Sequence, residues 1–283
     1  LFAAYEAIVG EPTISADDFA FIARLVRQRC ALVLEPGKEY LVKSRLFPLA
    51  QRHGLSGIGP LVDRLRASDN GLTTEVVEAM VTTETSFFRD IHPFETLKKT
   101  VLPQLIEARR AGRQLNFWFA ASSSGQEPYS VALMLKEWFP ELNDWRLNLW
   151  ATDISHEMLN RSRAARYTQV EVNRGLPTTL LLKWFRQDGA HWQLDDRIRS
   201  MVTFSPLNLA QPWPAMPAWD LVFLRNVMIY FDNDVKKAIL GRAGRVLNKD
   251  GYLLLGGAET TLSLDDSYRR IEALKSGFYQ LKP

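Results

Sequence analysis

At 283 residues, 46% of them hydrophobic, the chain can bury a sizeable core as one large domain or two unequal ones. Lys and Arg number 35 against 32 Asp and Glu, a net charge of +3, so bulk charge announces no nucleic-acid partner and any basic patch must be local. The single cysteine excludes an internal disulfide, and no apolar run reaches the roughly 18 residues of a membrane span.

The opening LFAAYEAIVGEPTIS has neither the basic n-region nor the small-residue cleavage site of a secretory signal, so a cytoplasmic protein without membrane insertion is expected. SADDFAFIARLVRQRCALVL begins with a capping Ser15, carries Asp17 and Asp18 in its first turn and then spaces apolar residues at helical intervals. KEYLVKSRLFPLAQRHG predicts a second helix, bent or broken near Pro48 and stopped by Gly54; GPLVDRLRAS and LTTEVVEAMVTTE predict two more. Residues 1–85 therefore read as an all-helical domain. After TSFFRDIHPFETLKKTVLPQLIEARRAGR the pattern changes. Short apolar runs, LNFWFAA, LNLWATD, MVTFSP, WDLVFLRN, YLLLGGA and FYQLK, alternate with amphipathic helices such as SHEMLNRSRAARY and NDVKKAILGRAGRVLNKDG. Such alternation predicts a doubly wound, mostly parallel sheet over residues 86–283. HWQLDDRIRSMVTF breaks the rhythm and reads as a polar hairpin turning at Asp195 and Asp196. The aromatics of FWFAA and EWFP read as core.

In doubly wound sheets ligands sit beyond the carboxyl ends of the strands, near the point where strand order reverses. After the first strand, Ala120, Ala121, Ser122, Ser123, Ser124 and Gly125 carry no bulky side chain, so a ligand can approach the backbone and the N–H groups opening the next helix. The run is not G-x-G-x-x-G, which argues against a dinucleotide. Glu127 would neutralise a cationic ligand group, or equally favour the helix dipole. Asp153, ending the second strand, could accept both hydroxyls of a ribose or cap the helix starting near His156. Asn208 and Asn226 follow the third and fourth strands, where an Asn reads an adenine edge or simply makes a turn. Together these positions describe a pocket for an adenosine carrying an amino-acid tail, and S-adenosylmethionine fits that description.

TTETSFFRD, FAASSSGQEPYSVAL, NLWATD, ATDISHEML, LRNVMIYFD and NKDGYLLLGGAE resemble, in order and spacing, the chemoreceptor glutamate methyltransferases of the CheR family, from about Ser15 to the C-terminus. The resemblance implies an N-terminal helical domain, a Rossmann-like S-adenosylmethionine-binding α/β domain and a small antiparallel β-subdomain inserted at about 171–203. It implies that Thr85 and Arg89 hold the methionyl end of the cofactor, that Thr83 contacts the cofactor, that Ala121 lies in the cofactor turn and that Glu127 takes the ammonium. Asp153 would hold the ribose, and Asn208 with Leu209 the adenine. Asn226 and Val227 would line the site, with Tyr230 near the transfer centre. Where the family reads N-E-T, this chain has Thr83-Glu84-Thr85, so a hydroxyl replaces an amide toward the cofactor.

Methyl transfer from a sulfonium to an ionised carboxylate needs no general base, so positioning and water exclusion carry it. Arg89 suits the acceptor carboxylate, as a guanidinium pairs bidentately, or makes a surface salt bridge at a helix start; Tyr230 would orient the acceptor or pack at a strand end. Lys38, Lys43, Arg45 and Arg52 fall in the second helix, where some would form a basic face for an acidic helical substrate, Lys43 and Arg45 above all, or an ordinary solvated face. His53, His92, His156 and His191 lack metal-ligand spacing. The expected partner is the cytoplasmic helical bundle of chemoreceptors, met by a monomer that yields S-adenosylhomocysteine. WFRQDGAHWQLDD holds only Gly189, so no tether to a receptor's C-terminal pentapeptide is expected. Two alternatives remain, a non-catalytic cofactor-binding signalling module and a nucleic-acid methyltransferase of the same fold, the latter lacking N/D-P-P-Y/F.

Overall fold

The computed structural model describes residues 13–67, 69–274 and 276–283. The reading of the first fifteen residues as carrying no leader thus falls mostly outside the described residues. The chain forms two compact units: one holds the chain through Thr82 together with Tyr230–Asp232, the other Thr83–Ile229 and Asn233–Pro283.

The first unit is helical. α1 (Ala16–Cys30) is capped by Ser15, whose hydroxyl accepts the Asp18 N–H at 3.1 Å, and it buries Phe19, Ile22, Val26 and Cys30. α2 (Glu39–Arg52) buries Val42, Leu46, Leu49 and Ala50, α3 (Ile58–Arg66) Ile58, Leu61, Val62 and Leu65, and α4 (Asn70–Met80) Leu72, Val76, Val77 and Met80. These three- and four-residue spacings put each apolar stripe on one face, and the four faces share one core. Pro48 does not break α2: it lies exposed, so the Ser44 carbonyl it leaves without an N–H stays open to water. α4 stops at Met80, short of the expected Glu84, because Val81 turns extended at ψ 150°.

The second unit opens with α5 (His92–Thr96), which runs through a π-helical turn, Leu97–Val101, into α6 (Leu102–Arg109). Pro103 in the first turn of α6 has no N–H for the regular ladder, and the Leu102 N–H reaches back five residues to Leu97. There follow β1 (Gln114–Ala120), α7 (Gln126–Trp138), β2 (Arg146–Asp153), α8 (His156–Ala164), β6 (Val202–Pro206), β7 (Trp219–Leu224), α12 (Asn233–Val246), β8 (Leu247–Leu255), β9 (Tyr268–Arg270) and β10 (Phe278–Leu281). Among the described residues the main sheet has the order β6-β2-β1-β7-β8-β10-β9, parallel except at β10 and β9. Strand order reverses between β1 and β7, so a ligand site belongs at their carboxyl ends. Phe117, Trp118 and Phe119 of β1 are wholly buried, as a strand covered on both faces requires. Trp138 is not core: it stands 37% exposed with the Lys98 ammonium 3.7 Å from its ring centre.

Between α8 and β6 lie β3 (Arg166–Thr168), α9 (Gln169–Asn173), α10 (Thr178–Trp184), β4 (Phe185–Asp188), β5 (His191–Leu194) and α11 (Asp196–Arg199). β3, β5 and β4 form a separate antiparallel sheet in that order. It begins before the expected residue 171, because Ala165 turns left-handed at φ 49° and ends α8, although nothing in its residue type signals that cap. The hairpin turns at Gly189 and Ala190, not at Asp195 and Asp196. Gly189 takes φ 59°, Asp188 pairs with His191, and Asp195 instead caps α11, accepting the Arg197 N–H at 2.8 Å.

Candidate cofactor and methyl-transfer site

The turn after β1 rises through left-handed residues, Ala121 at φ 59°, Ser123 at 49° and Gly125 at 92°. Only glycine fits at 125, since a Cβ there would stand 3.1 Å from Ser162 and from the Tyr129 ring. The turn is held on all sides. The Ser122 N–H donates to the Thr152 carbonyl at 2.8 Å and the Ser123 hydroxyl to the Thr83 carbonyl at 2.5 Å. The Ser162 hydroxyl and the Tyr167 hydroxyl donate to the carbonyls of Ser123 and Ser124 at 2.8 and 2.9 Å. Burial raises the Tyr167 phenol well above its usual range, so it remains a donor. The Ser122 hydroxyl is different: it is buried with no partner among the described residues.

Asp153 ends β2 with both carboxylate oxygens on backbone N–H groups, Ser123 at 2.7 Å and Ser155 at 2.9 Å. It does not cap α8; Ser155 does, accepting the Met158 N–H at 3.2 Å. A carboxylate only accepts, at about four positions, which suits the hydroxyl donors of a ribose. Asn208 lies in the turn after β6, where its side-chain oxygen accepts the Ala210 N–H at 3.0 Å and the neighbouring Leu207 N–H bonds the Asp153 carbonyl at 2.9 Å. Leu209 is buried, and its carbonyl accepts from Trp213 and Arg242 at 3.2 and 2.8 Å.

Glu127 is more than a favourable charge in the first turn of α7. Its Oε1 accepts from the Arg225 guanidinium at 2.5 Å, and Arg225, with a side chain 1% exposed, also donates to Asp90 at 2.8 Å and to the Arg89 carbonyl at 3.1 Å. Breaking such a buried pair by removing one partner costs about 3–5 kcal/mol. Sequence reasoning missed Arg225, although it opens the RNVMIYF run where β7 ends, a position at which a buried charge has to have a partner. The Phe88–Ile91 segment under it takes φ 46°, 69° and 46° at Phe88, Asp90 and Ile91, strain that Arg225 and the Phe88 N–H bond to Ser130 at 2.9 Å hold in place.

Arg89 stands at no helix start and, among the described residues, in no ion pair; its guanidinium donates to the Glu84 carbonyl at 3.2 Å. The salt bridge goes instead from Glu84 to Arg174, at 2.7 Å, and that hydrogen bond holds the Glu84 carboxyl below its usual range. Thr83 and Thr85 are half-buried on the extended segment before Arg89. Asn226 is left-handed at φ 57°, and the N–H groups of Asn226 and Val227 donate to Glu259 at 2.7 and 2.9 Å. Hydrogen bonds tie Thr83 and Asp153 to the β1 turn that holds Ala121, join Asp153 to Leu207 beside Asn208, and separately link Glu127, Arg225 and Arg89; Asn226 and Val227 follow Arg225 in the chain and are held by Glu259.

The remaining candidates lie elsewhere. Tyr230 closes the 3₁₀ turn Met228–Tyr230 rather than a strand end, and its carbonyl accepts the Val33 N–H at 3.1 Å within the helical unit. Lys43 and Arg45 do not share a face, because two residues apart on a helix of about 3.6 per turn put them about 160° apart. Arg45 is engaged at the end of α4, donating to the Met80 carbonyl and to the Thr82 hydroxyl at 3.1 Å.

The all-alpha domain model of the CheR methyltransferases matches residues 17–81, and their S-adenosylmethionine-binding domain model matches residues 83–276. Chemotaxis protein methyltransferase 1 of Pseudomonas aeruginosa is 40% identical over 270 residues, covering 94% of this chain and 98% of the relative. The chain belongs to the CheR methyltransferase family. The chemotaxis protein methyltransferase Cher2 of Pseudomonas putida is 38% identical over 271 residues (94% and 98% coverage), and that of Escherichia coli 32% over 257 residues (89% and 87%). The α/β unit of this CheR family member therefore binds S-adenosylmethionine, and the protein is a methyltransferase. Its residues fit the cofactor: carboxylates stand in the first turn of α7 and at the end of β2, the β1 turn has no bulk, and the orphaned Ser122 hydroxyl has hydrogen-bonding capacity to give. Among the described residues no helix is long and apolar enough to cross a membrane.

Proposed function

We propose that the protein is a protein-glutamate O-methyltransferase that esterifies glutamate side chains on the cytoplasmic helical bundle of chemoreceptors. The observation that carries this reading is Arg89, a half-buried guanidinium with no ion pair among the described residues, joined through its own carbonyl and Arg225 to Glu127 in the first turn of α7. When bound, S-adenosylmethionine supplies a methyl group on a sulfonium. Asp153 accepts the ribose hydroxyls, Asn208 and Leu209 hold the adenine, and the second oxygen of Glu127 takes the ammonium. Thr83 and Thr85 bond the methionyl end, and Ala121, Asn226 and Val227 line the site. Arg89 orients the acceptor carboxylate in line. A glutamate is already ionised at neutral pH, so orientation alone can supply several kcal/mol of the rate enhancement. The names of the relatives, chemotaxis protein methyltransferases, support a chemoreceptor as the acceptor.

The test is transfer of labelled methyl from S-adenosylmethionine to a receptor cytoplasmic fragment. Label released as methanol by mild base, and lost when the accepting glutamates are changed to glutamine, is the expected result. Cofactor binding without any base-labile label would overturn the proposal.

A further inference from the structure

Glu259 receives four backbone N–H groups. Its Oε2 accepts from Asn226 at 2.7 Å and Gly256 at 2.8 Å, and its Oε1 from Val227 at 2.9 Å and Met228 at 2.8 Å. Three successive N–H groups turned toward one point form a nest that demands an anion, and it forms here because Asn226 takes φ 57°. The carboxylate comes from the far side of a strand pair: β7 ends at Leu224, β8 at Leu255, and these two residues are paired in parallel register. Glu259 therefore ties the tips of two central strands beside the point where strand order reverses. Gly256 has no room for a side chain. A Cβ at Gly256 would lie 2.7 Å from Glu259 Oε2 and 2.9 Å from both the backbone and side-chain nitrogens of Asn226.

We propose that Glu259 is a positioning residue for methyl transfer: its carboxylate fixes the Asn226–Met228 backbone that presents Asn226 and Val227 to the cofactor. The inference rests on the placement of Asn226 and Val227 in the cofactor site. A simple brace for strand tips would need one or two hydrogen bonds. Here an ionised group faces three successive donors, so neutralising it leaves the nest without its anion and frees Asn226 to leave the left-handed region.

The experiment compares Glu259→Gln and Gly256→Ala with the parent enzyme. In Glu259→Gln an amide NH2 faces two of the four N–H donors. In Gly256→Ala the charge is kept, but the new methyl group displaces the carboxylate. Both variants are expected to fold, to bind S-adenosylmethionine about tenfold or more weakly by calorimetry and to lose about tenfold or more in kcat, with receptor KM within about twofold. Amide exchange at residues 226–228 should quicken in both. A purely structural brace predicts a lower Tm with unchanged Kd and kcat in the folded variants, which would overturn the proposal. Failure of both variants to fold at 25 °C would overturn it equally, in favour of that brace. Asn226→Ala separates the two levels: if it leaves cofactor affinity intact, the placement of Asn226 fails; if it weakens binding while the Glu259 and Gly256 variants do not, the positioning role fails.

Discussion

Asp153 shows how one side chain can serve structure and ligand together. Its oxygens hold the Ser123 and Ser155 N–H groups, which fixes the β1 turn, and the proposed ribose contact would fall on the same carboxylate. Asp153→Asn keeps the shape but loses the charge and one acceptor, so S-adenosylmethionine affinity should fall between about tenfold and a hundredfold, the equivalent of roughly 1.5 to 3 kcal/mol. Calorimetry on the folded variant checks this, and an unchanged Kd would remove the ribose assignment. Arg89 gives the opposite pattern. Its guanidinium has only the Glu84 carbonyl among the described residues, so Arg89→Ala should leave Tm nearly unchanged. In that variant kcat should fall by about a hundredfold, far more than any loss of cofactor affinity explains, because the acceptor carboxylate loses the group that orients it. Arg89→Lys should recover little, since an ammonium cannot pair bidentately. Normal turnover in Arg89→Ala at saturating substrates would return the residue to its surface role.

At the scale of elements, the short helix α11 depends on its cap. The Arg197 side chain and then its backbone N–H, both bonded to Asp195, hold that carboxyl down to about 2. The folded value thus lies below the unfolded one of about 3.9, so the stabilisation is complete above that value and is lost as pH falls toward 2. Asp195→Ala should cost about 1 kcal/mol at neutral pH, a drop of about 2–4 °C in Tm for a protein of this size. Unfolding curves of parent and variant should converge as pH is lowered from about 5 to about 2. A gap that stays constant over that range would show that Asp195 contributes through packing and not through charge.

At the scale of the whole molecule, the question is how a receptor is found. The β4–β5 connection is a two-residue turn, Gly189–Ala190, and the edge strand β4 exposes Arg186, Gln187 and Asp188. It has no glycine-rich loop to lie beside an added peptide strand, and a charged edge discourages such pairing. Arg45 is engaged at the end of α4, so the cations that remain on α1 and α2 for an acidic partner include Lys43 and the exposed Arg24 and Arg52. Methylation of one receptor should therefore be the same with and without its C-terminal residues, and should weaken as salt rises, exposed charge pairs being screened over about 10 Å at 0.1 M. A large loss on removing the tail, with little response to salt, would make the small sheet a tether.

The sequence by itself determined the elements whose signal is local. Apolar stripes at helical spacing gave α1 to α4, continuous apolar runs gave β1, β2, β6, β7, β8 and β10, and the small-residue turn before GQEP together with the Asp closing WATD marked the carboxyl edge of the sheet. Three-residue strands escaped it: β3 follows a left-handed alanine, and β9, reading YRR with two exposed arginines, has no hydrophobic period to betray it. The hairpin was misplaced because two aspartates look like a turn until a neighbouring N–H is found for one of them to cap. What only the tertiary structure decided is which charges meet. Glu127 and Arg225 are 98 residues apart, and Asn226 and Glu259 are 33, yet each pair closes at 2.5–2.7 Å. Periodicity reports which face of an element is buried, whereas the partner of a buried charge is fixed by strand order, and only the folded sheet brings the ends of β1, β7 and β8 to one edge.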